Sequence, residues 1–197
     1  MTKVKICGLS RREDIDAVNR ALPDYIGFVF APSRRRVDAE TAAALKERLD
    51  GRIKTVGVFA GQDIETVAEL CRNGVIDWIQ LHGGEDGAYI RRLRDRADVP
   101  IIKAVPVTTA AIWPDGADYA LFDGPRGGGG ETFDWTLLQG TDRPYFLAGG
   151  LHAGNVRAAL KRKPYAVDVS GGVETGGVKD AAKIDAFVRL VRAEELY

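Results

Sequence analysis

The sequence predicts a compact, single-domain (β/α)8 barrel of the α/β class, because eight short apolar runs alternate with stretches of helical periodicity along its 197 residues. Strands that are joined through helices by right-handed crossovers form a parallel sheet, and eight such units close a barrel. The chain is shorter than most barrels of this type, so we expect one domain, residues 1–197, with few insertions. A doubly wound open sheet is the structural alternative.

The predicted strands are rich in β-branched and aromatic residues. They span residues 4–7, 25–30, 55–59, 78–81, 101–104, 119–122, 145–148 and 166–169. The predicted helices span residues 12–22, 38–49, 63–72, 85–96, 153–161 and 180–192. Two connections have little helical signal: 107–118 contains Pro114 and Gly116, and 134–140 is long enough for only about two turns. We therefore expect the fifth and sixth helices to be short or irregular.

Charge balance and cysteine content exclude several classes of function. Lys plus Arg and Asp plus Glu each total 28, so the formal net charge is zero and no nucleic-acid partner is expected. Cys7 and Cys71 lack Cys-x-x-Cys spacing and accompanying histidines, which argues against a disulfide framework or a metal site and favours the cytoplasm. The sequence has no signal-peptide run and no window of membrane-spanning length, so no membrane partner is expected.

Three reactive side chains, Cys7, His82 and Asp123, are predicted to meet inside the barrel mouth. Alternate residues of a barrel strand face the interior, which directs Lys5 and Cys7 inward together with Asp123, while Gln80 and His82 point inward from the fourth strand. Each group alone has an ordinary structural explanation, such as a small buried hydrophobe or a turn residue. Their convergence at the carboxyl ends of different strands is what indicates an active site.

Glycine-rich and arginine-rich segments follow several of these strands. Gly149 and Gly150 follow the seventh strand, and Ser170, Gly171 and Gly172 follow the eighth, where barrels of this type often bind phosphate through backbone amides. The four glycines at 127–130 lack the features of a phosphate loop and predict a mobile lid. The three arginines at 34–36 form either a solvated cluster or a carboxylate-binding site.

Ordered segments along nearly the whole chain carry a family resemblance. They are Lys5-Ile6-Cys7-Gly8-Leu9, Gly27-Phe28-Val29-Phe30, Val56-Gly57-Val58-Phe59, Gln80-Leu81-His82-Gly83, Phe122-Asp123, Thr132-Phe133-Asp134-Trp135, Leu147-Ala148-Gly149-Gly150-Leu151, Val167-Asp168-Val169-Ser170, Gly172-Val173-Glu174 and Val178-Lys179-Asp180. Together they resemble the phosphoribosylanthranilate isomerase family of tryptophan biosynthesis. The sequence differs from the family at Gly171, where the family usually has serine, so only backbone amides can donate to phosphate at this position.

The resemblance implies roles for individual residues. Cys7 falls on the general base and Asp123 on the general acid of the family. Arg35, His82 and Asp168 fall on substrate-binding positions, with Arg35 preferred over its two arginine neighbours. The phosphate-binding positions are Gly149, Gly150, Ser170, Gly171 and Gly172. The family's reaction is an aldose–ketose isomerisation of N-(5-phosphoribosyl)anthranilate, a small-molecule substrate, by a monomer or homodimer.

The chemistry of an Amadori rearrangement suits these groups and needs no cofactor, because the substrate's own amine supplies the imine. We expect burial to raise the pKa of Asp123 so that it holds a proton for ring opening. We expect Cys7 to be an accessible thiol of low pKa, with Lys5 beneath it to stabilise the thiolate. Two other functions stay open: an isomerase or epimerase of another phosphosugar, and a barrel that binds phosphate without catalysis.

Overall fold

Eight parallel strands form a closed barrel in which each strand pairs with its neighbours in the chain and the eighth pairs with the first. The computed structural model describes residues 1–194. The strands are β1 (Lys3–Cys7), β2 (Tyr25–Val29), β3 (Lys54–Phe59), β4 (Trp78–Leu81), β5 (Ile101–Pro106), β6 (Tyr119–Asp123), β7 (Tyr145–Leu147) and β8 (Ala166–Val169). The predicted fold class is confirmed. The predicted domain extends to residue 197, and 195–197 lie outside the described residues.

Helices cover the outside of the barrel, and most begin at an aspartate. They are α1 (Arg12–Ala21), α2 (Ala39–Lys46), α3 (Ile64–Arg72), α4 (Gly87–Arg94), α5 (Val156–Leu160) and α6 (Ala181–Ala193). The side chains of Asp38, Asp63, Asp86 and Asp180 accept hydrogen bonds from first-turn amides, which fixes where those helices start. The connection between β5 and β6 forms no helix within residues 107–118, and the next contains only a 3-10 turn, Trp135–Leu138, as predicted.

The alternation of side chains along the strands separates two apolar layers. Val4 and Ile6 belong to the large core between barrel and helices, which also contains Ala120 and Phe122. Leu121 belongs instead to the core inside the barrel. The predicted parity of β1 and β6 is therefore confirmed, and it places Lys5, Cys7 and Asp123 in the lumen.

Aromatic rings close the lower end of the barrel. Tyr25, Trp78 and Tyr119 each begin a strand and pack with Phe146, and the hydroxyl groups of Tyr25 and Tyr165 lie 2.8 Å apart. This packing leaves the carboxyl ends of the strands as the end at which polar groups meet. No helix within residues 1–194 combines the length and the apolar character needed to cross a membrane.

After β8 the chain forms a short cap beside the barrel mouth. A 3-10 turn, Gly171–Val173, leads into the antiparallel pair β9 (Glu174–Thr175) and β10 (Val178–Lys179), which precedes α6. The cap faces the loop that follows β2, since Arg34 Nη1 donates to the carbonyl of Gly177. The predicted phosphate segment and the arginine cluster are thereby brought to the same side of the mouth.

Candidate active site

Cys7 ends β1 with its thiol inside the upper barrel. It is 8% exposed and packs with Val29, Ala31 and Val58. Gly27 on the adjacent strand makes room for it, since a Cβ there would stand 2.7 Å from Cys7 Sγ and 3.3 Å from Lys5 Nζ. Thiol and ammonium therefore face the same small space, as the strand parity predicts.

Lys5 is fully buried and paired. Its Nζ donates to Asp168 Oδ1 at 2.9 Å, and the two residues are register partners across β1 and β8. Burial disfavours the ammonium, but Asp168 and Cys7 outweigh it and raise the pKa of Lys5, so this group stays charged beneath Cys7.

The expectation of an accessible, low-pKa thiol at Cys7 is wrong. Burial raises the pKa of Cys7 and Asp168 acts in the same direction, and together they outweigh the opposing effect of Lys5 and Lys179. A thiol surrounded by apolar side chains loses the hydration that would stabilise its anion. The unliganded protein therefore holds Cys7 as the neutral thiol near neutral pH.

Asp123 ends β6 and is 4% exposed. Its Oδ1 accepts from the amide of Gly124 at 2.8 Å, and its Oδ2 accepts from the amide of Gly128 at 2.5 Å. Burial favours the neutral acid, but His82 and these amides outweigh it and lower the pKa of Asp123. The expectation of a raised pKa is thus wrong, because strand parity places His82 near the carboxyl but predicts neither the strength of its effect nor the amides of the loop that follows β6.

His82 lies between Asp123 and Gln80. Gln80 Nε2 lies 2.9 Å from His82 Nδ1, and His82 Nε2 lies 3.4 Å from Asp123 Oδ2, which is longer than a hydrogen bond. In the tautomer that carries its hydrogen on Nε2, facing the Asp123 carboxylate, Nδ1 accepts from the Gln80 amide. Within residues 1–194, Gln80 Oε1 and His82 Nε2 are buried without a hydrogen-bond partner.

The glycine segment 127–130 lies above this group. Cβ atoms on Gly127 and Gly128 would be 3.7 and 3.9 Å from His82 Nε2. The segment continues to Glu131, whose carboxylate pairs with Arg126 on the surface. Its position over His82 and Asp123 suits the predicted lid, whose mobility stays a prediction.

Of the three arginines, Arg35 is the half-buried one, and it lies against the residue that follows Cys7. Its side chain crosses Gly8, where φ is +82° and any Cβ would collide with Arg35 Cδ. Arg34 and Arg36 are exposed. Glu174 holds Arg35 by hydrogen bonds of 2.6 Å to Nε and 3.0 Å to Nη2.

The predicted phosphate segments after β7 and β8 meet at the mouth. A Cβ on Gly172 would collide with the carbonyl of Leu151, which shows how closely the two backbones approach. None of the hydrogen bonds found within residues 1–194 uses the amide of Gly150, Gly171 or Gly172 as its donor. Ser170 is occupied, because its hydroxyl donates to the carbonyl of Cys7 at 2.9 Å.

Comparisons with known proteins identify the family of this chain. The family model described as N-(5'phosphoribosyl)anthranilate (PRA) isomerase matches residues 4–190. N-(5'-phosphoribosyl)anthranilate isomerase of Endomicrobium trichonymphae is 48% identical over 202 residues, covering 98% of this chain and all of that protein. The chain belongs to the N-(5'-phosphoribosyl)anthranilate isomerase family. The isomerase function in tryptophan biosynthesis predicted from the sequence is therefore confirmed.

Solved structures of the isomerase family share the whole fold. The enzyme from Thermus thermophilus superposes with a TM-score of 0.90 at 36% identity, covering 98% of this chain and 99% of that one. A family member solved with reduced 1-(o-carboxyphenylamino)-1-deoxyribulose 5-phosphate gives a TM-score of 0.82 at 31% identity, covering 98% of this chain and all of that one.

Two charged residues of the mouth, Glu174 and Lys179, received no role in the sequence analysis. Both lie in the short cap after β8, a region that strand and helix periods do not describe. Glu174 contacts Arg35, and Lys179 Nζ bonds to Glu174 and to Ser170. The sequence feature that could have indicated them is the cluster of charged residues directly after a predicted phosphate segment.

Proposed function

We propose that this chain converts N-(5-phosphoribosyl)anthranilate to 1-(2-carboxyphenylamino)-1-deoxyribulose 5-phosphate with Cys7 as general base and Asp123 as general acid. The observation that carries these roles is the position of a buried thiol and a buried carboxyl at the carboxyl ends of β1 and β6, facing one mouth. Family membership supplies the reaction, and the arrangement of the side chains supports the division of the proton transfers.

Ring opening is the acid-catalysed step. Asp123 gives a proton to the furanose oxygen as the C1–O bond breaks, and the anthranilate nitrogen supplies the electron pair that forms the iminium. The carboxylate left behind faces His82 Nε2 and the amides of Gly124 and Gly128. The two amides stabilise the charge that develops on Asp123 by hydrogen bonds, and His82, 3.4 Å away, adds an electrostatic contribution.

Proton abstraction is the base-catalysed step. The C2 hydrogen is acidic because the iminium accepts the electron pair, and the Cys7 thiolate removes it to give an enolamine. The enolamine becomes the ketose when C1 gains a proton and the C2 hydroxyl loses one. Lys5 and Lys179 stabilise the thiolate electrostatically.

The free protein and the reactive form contain the same number of protons. In the free protein the thiol holds the shared proton and Asp123 is ionised, whereas the reactive form has a thiolate and a protonated Asp123. The two residues therefore react from the less populated of their two proton distributions, thiolate with carboxylic acid. This lowers the rate but requires no net proton uptake.

This protonation pattern predicts a flat pH profile. Acid removes activity by protonating Asp123, whose pKa is lowered, and alkali removes it by ionising Cys7, whose pKa is raised. We expect kcat/KM, referred to the dianionic form of the substrate phosphate, to vary by less than about twofold between about pH 5 and pH 8. For Cys7→Asp, kcat/KM should instead fall about tenfold per pH unit above about pH 5. The carboxyl groups at positions 7 and 123 are then both ionised, and the reactive form must take up a proton. A steady slope for the unaltered enzyme would contradict the proposal.

Substrate binding is assigned to residues around the two reacting groups. Arg35 binds the anthranilate carboxylate through charge-assisted hydrogen bonds, and His82 lies beside the sugar. Asp168 uses Oδ1 for Lys5, and we assign Oδ2 to a sugar hydroxyl. Gly149, Gly150, Ser170, Gly171 and Gly172 form the phosphate site through backbone amides.

The phosphate assignment is best tested at Gly171. Among residues 1–194, a Cβ there meets only Arg35 Nη2, at 3.9 Å, whereas one on Gly150 or Gly172 would strike neighbouring backbone. We expect Gly171→Val to weaken ribose 5-phosphate binding by about tenfold in calorimetric titration, because its side chain enters the space of the anion. Gly84→Val is the control, since a Cβ at Gly84 meets nothing within 4 Å among the described residues. Equal affinity of both variants would refute the placement.

The reaction itself is tested by the decay of anthranilate fluorescence with the phosphoribosyl substrate generated in situ. Turnover of a different phosphosugar alone would favour the second enzyme class, and phosphate binding without turnover would favour the non-catalytic barrel. We also propose that residues 1–197 form one domain acting in the cytoplasm as a monomer or homodimer. Sedimentation equilibrium distinguishes the two oligomeric states.

A further inference from the structure

Glu174, the first residue of the cap strand β9, is surrounded by three cations. Its carboxylate accepts from Arg34 Nη2 at 2.6 Å, from Arg35 Nε at 2.6 Å and from Lys179 Nζ at 2.7 Å. The side chain is only 5% exposed. Burial opposes its ionisation, but Arg35 and Lys179 outweigh it and lower the pKa of Glu174 to about 2. A single buried anion thus joins three positive groups beside the mouth.

Glu174 occupies one particular edge of the Arg35 guanidinium. Its two oxygens bond to Nε and Nη2, which is the side-on bidentate arrangement. A guanidinium presents a second bidentate edge, formed by Nη1 and the remaining hydrogen of Nη2. Arg35 Nη1 has no partner within residues 1–194, so this second edge is available to a ligand.

The rest of the contacts fix the guanidinium in place. Gly8 and Gly171 flank it, and Arg34 links the loop after β2 to the cap through Glu174 and the Gly177 carbonyl. Three cations around one carboxylate leave a local excess of two positive charges. That excess suits a carboxylate ligand, whereas a neutral aromatic ring has no group to use it.

We propose that Glu174 is a positioning residue for substrate specificity: it holds Arg35 side-on, so that the opposite edge of the guanidinium binds the carboxylate of the anthranilate ring. The inference rests on the proposed function of Arg35. Recognition of the ring carboxylate then depends on the loop after β2 and on the cap, which Glu174 joins. Without Glu174, the long Arg35 side chain has no anion to fix its orientation. Glu174 itself touches neither the ring nor the reacting carbons.

The test compares two ligands that differ only in the ring carboxylate: reduced 1-(o-carboxyphenylamino)-1-deoxyribulose 5-phosphate and its phenylamino counterpart. We expect Glu174→Gln to weaken the first by about tenfold to a hundredfold and the second by less than about twofold. Lys179 keeps its two bonds to Ser170 in the variant, so ribose 5-phosphate should bind as before. In turnover, KM for the anthranilate substrate should rise more than kcat falls.

Controls separate this inference from the assignment of Arg35. Glu65→Gln removes a glutamate that pairs with Arg72 on the surface of α3 and should change neither ligand. If Arg35→Ala weakens the binding of both ligands equally, or of neither, the role proposed for Arg35 is wrong. If Arg35→Ala distinguishes them but Glu174→Gln weakens both equally or neither, only the role of Glu174 is overturned. If Glu174→Gln does not fold, Glu174→Asp replaces it, because aspartate keeps the charge but is shorter by one methylene. This variant should weaken the carboxylated ligand more than the phenylamino ligand, by a smaller factor. Equal effects on both ligands would refute the proposal.

Discussion

Replacing Cys7 with serine is expected to lower kcat by about 10²- to 10⁴-fold, the usual contribution of a general base. A hydroxyl fits the space beside Gly27 but is a far weaker acid than a thiol, so Lys5 cannot make its anion available near neutral pH. Affinity for ribose 5-phosphate should stay within about twofold, because Cys7 bonds to Ser170 only through its carbonyl.

The control for this substitution is Cys71→Ser. Cys71 lies half-buried on α3, away from the mouth, and burial raises its pKa to about 11. We expect that variant to keep full activity. A Cys7→Ser enzyme with near-normal kcat, measured where solvent viscosity has no effect and chemistry limits turnover, would rule out Cys7 as the base.

Asp123→Asn is expected to cause a loss of similar size, about 10²- to 10⁴-fold in kcat, because an amide cannot supply the ring oxygen with a proton. The substitution also turns an NH2 group toward one of the amides of Gly124 and Gly128, so folding must be verified by thermal unfolding. Asp115→Asn is the control, since the side chain of Asp115 is 80% exposed and forms an ion pair with Arg91 on the surface.

An isotope effect distinguishes the two catalytic roles. With substrate deuterated at C2, the Cys7→Ser enzyme should show a primary isotope effect on kcat, because removal of that hydrogen has become the slow step. The Asp123→Asn enzyme should show an effect near unity, because ring opening now limits the rate. The reverse pattern would mean that the acid and the base have been exchanged.

The barrel and the positions of the reacting groups could be predicted because both follow from local patterns. The two-residue period of the strands directs Lys5, Cys7 and Asp123 inward, and the aspartate caps mark the helix starts. Proline and glycine in 107–118 predicted a short or irregular helix, and the structure has no helix in that segment. Such signals depend only on neighbours in the sequence.

The pKa values and the arginine site could not be predicted in this way. The pKa of Asp123 depends on whether burial or hydrogen bonding is stronger, and its donors include Gly128 in a loop without periodicity. The same is true of Arg35, whose orientation depends on Glu174, a residue 139 positions away. Side chains that meet across loops carry no repeat that a sequence pattern would reveal.

The ion pair between Lys5 and Asp168 has a cost for the protein's evolution. Removing either partner alone leaves an uncompensated buried charge, which typically destabilises by about 3–5 kcal/mol, whereas two well-packed apolar residues are often no less stable than such a pair. The barrel therefore sacrifices potential stability at its centre to keep an ammonium beneath Cys7. Replacing one partner costs stability, and replacing both removes the groups assigned to the thiolate and to a sugar hydroxyl, so stability and activity together hold two residues that lie 163 apart in the chain.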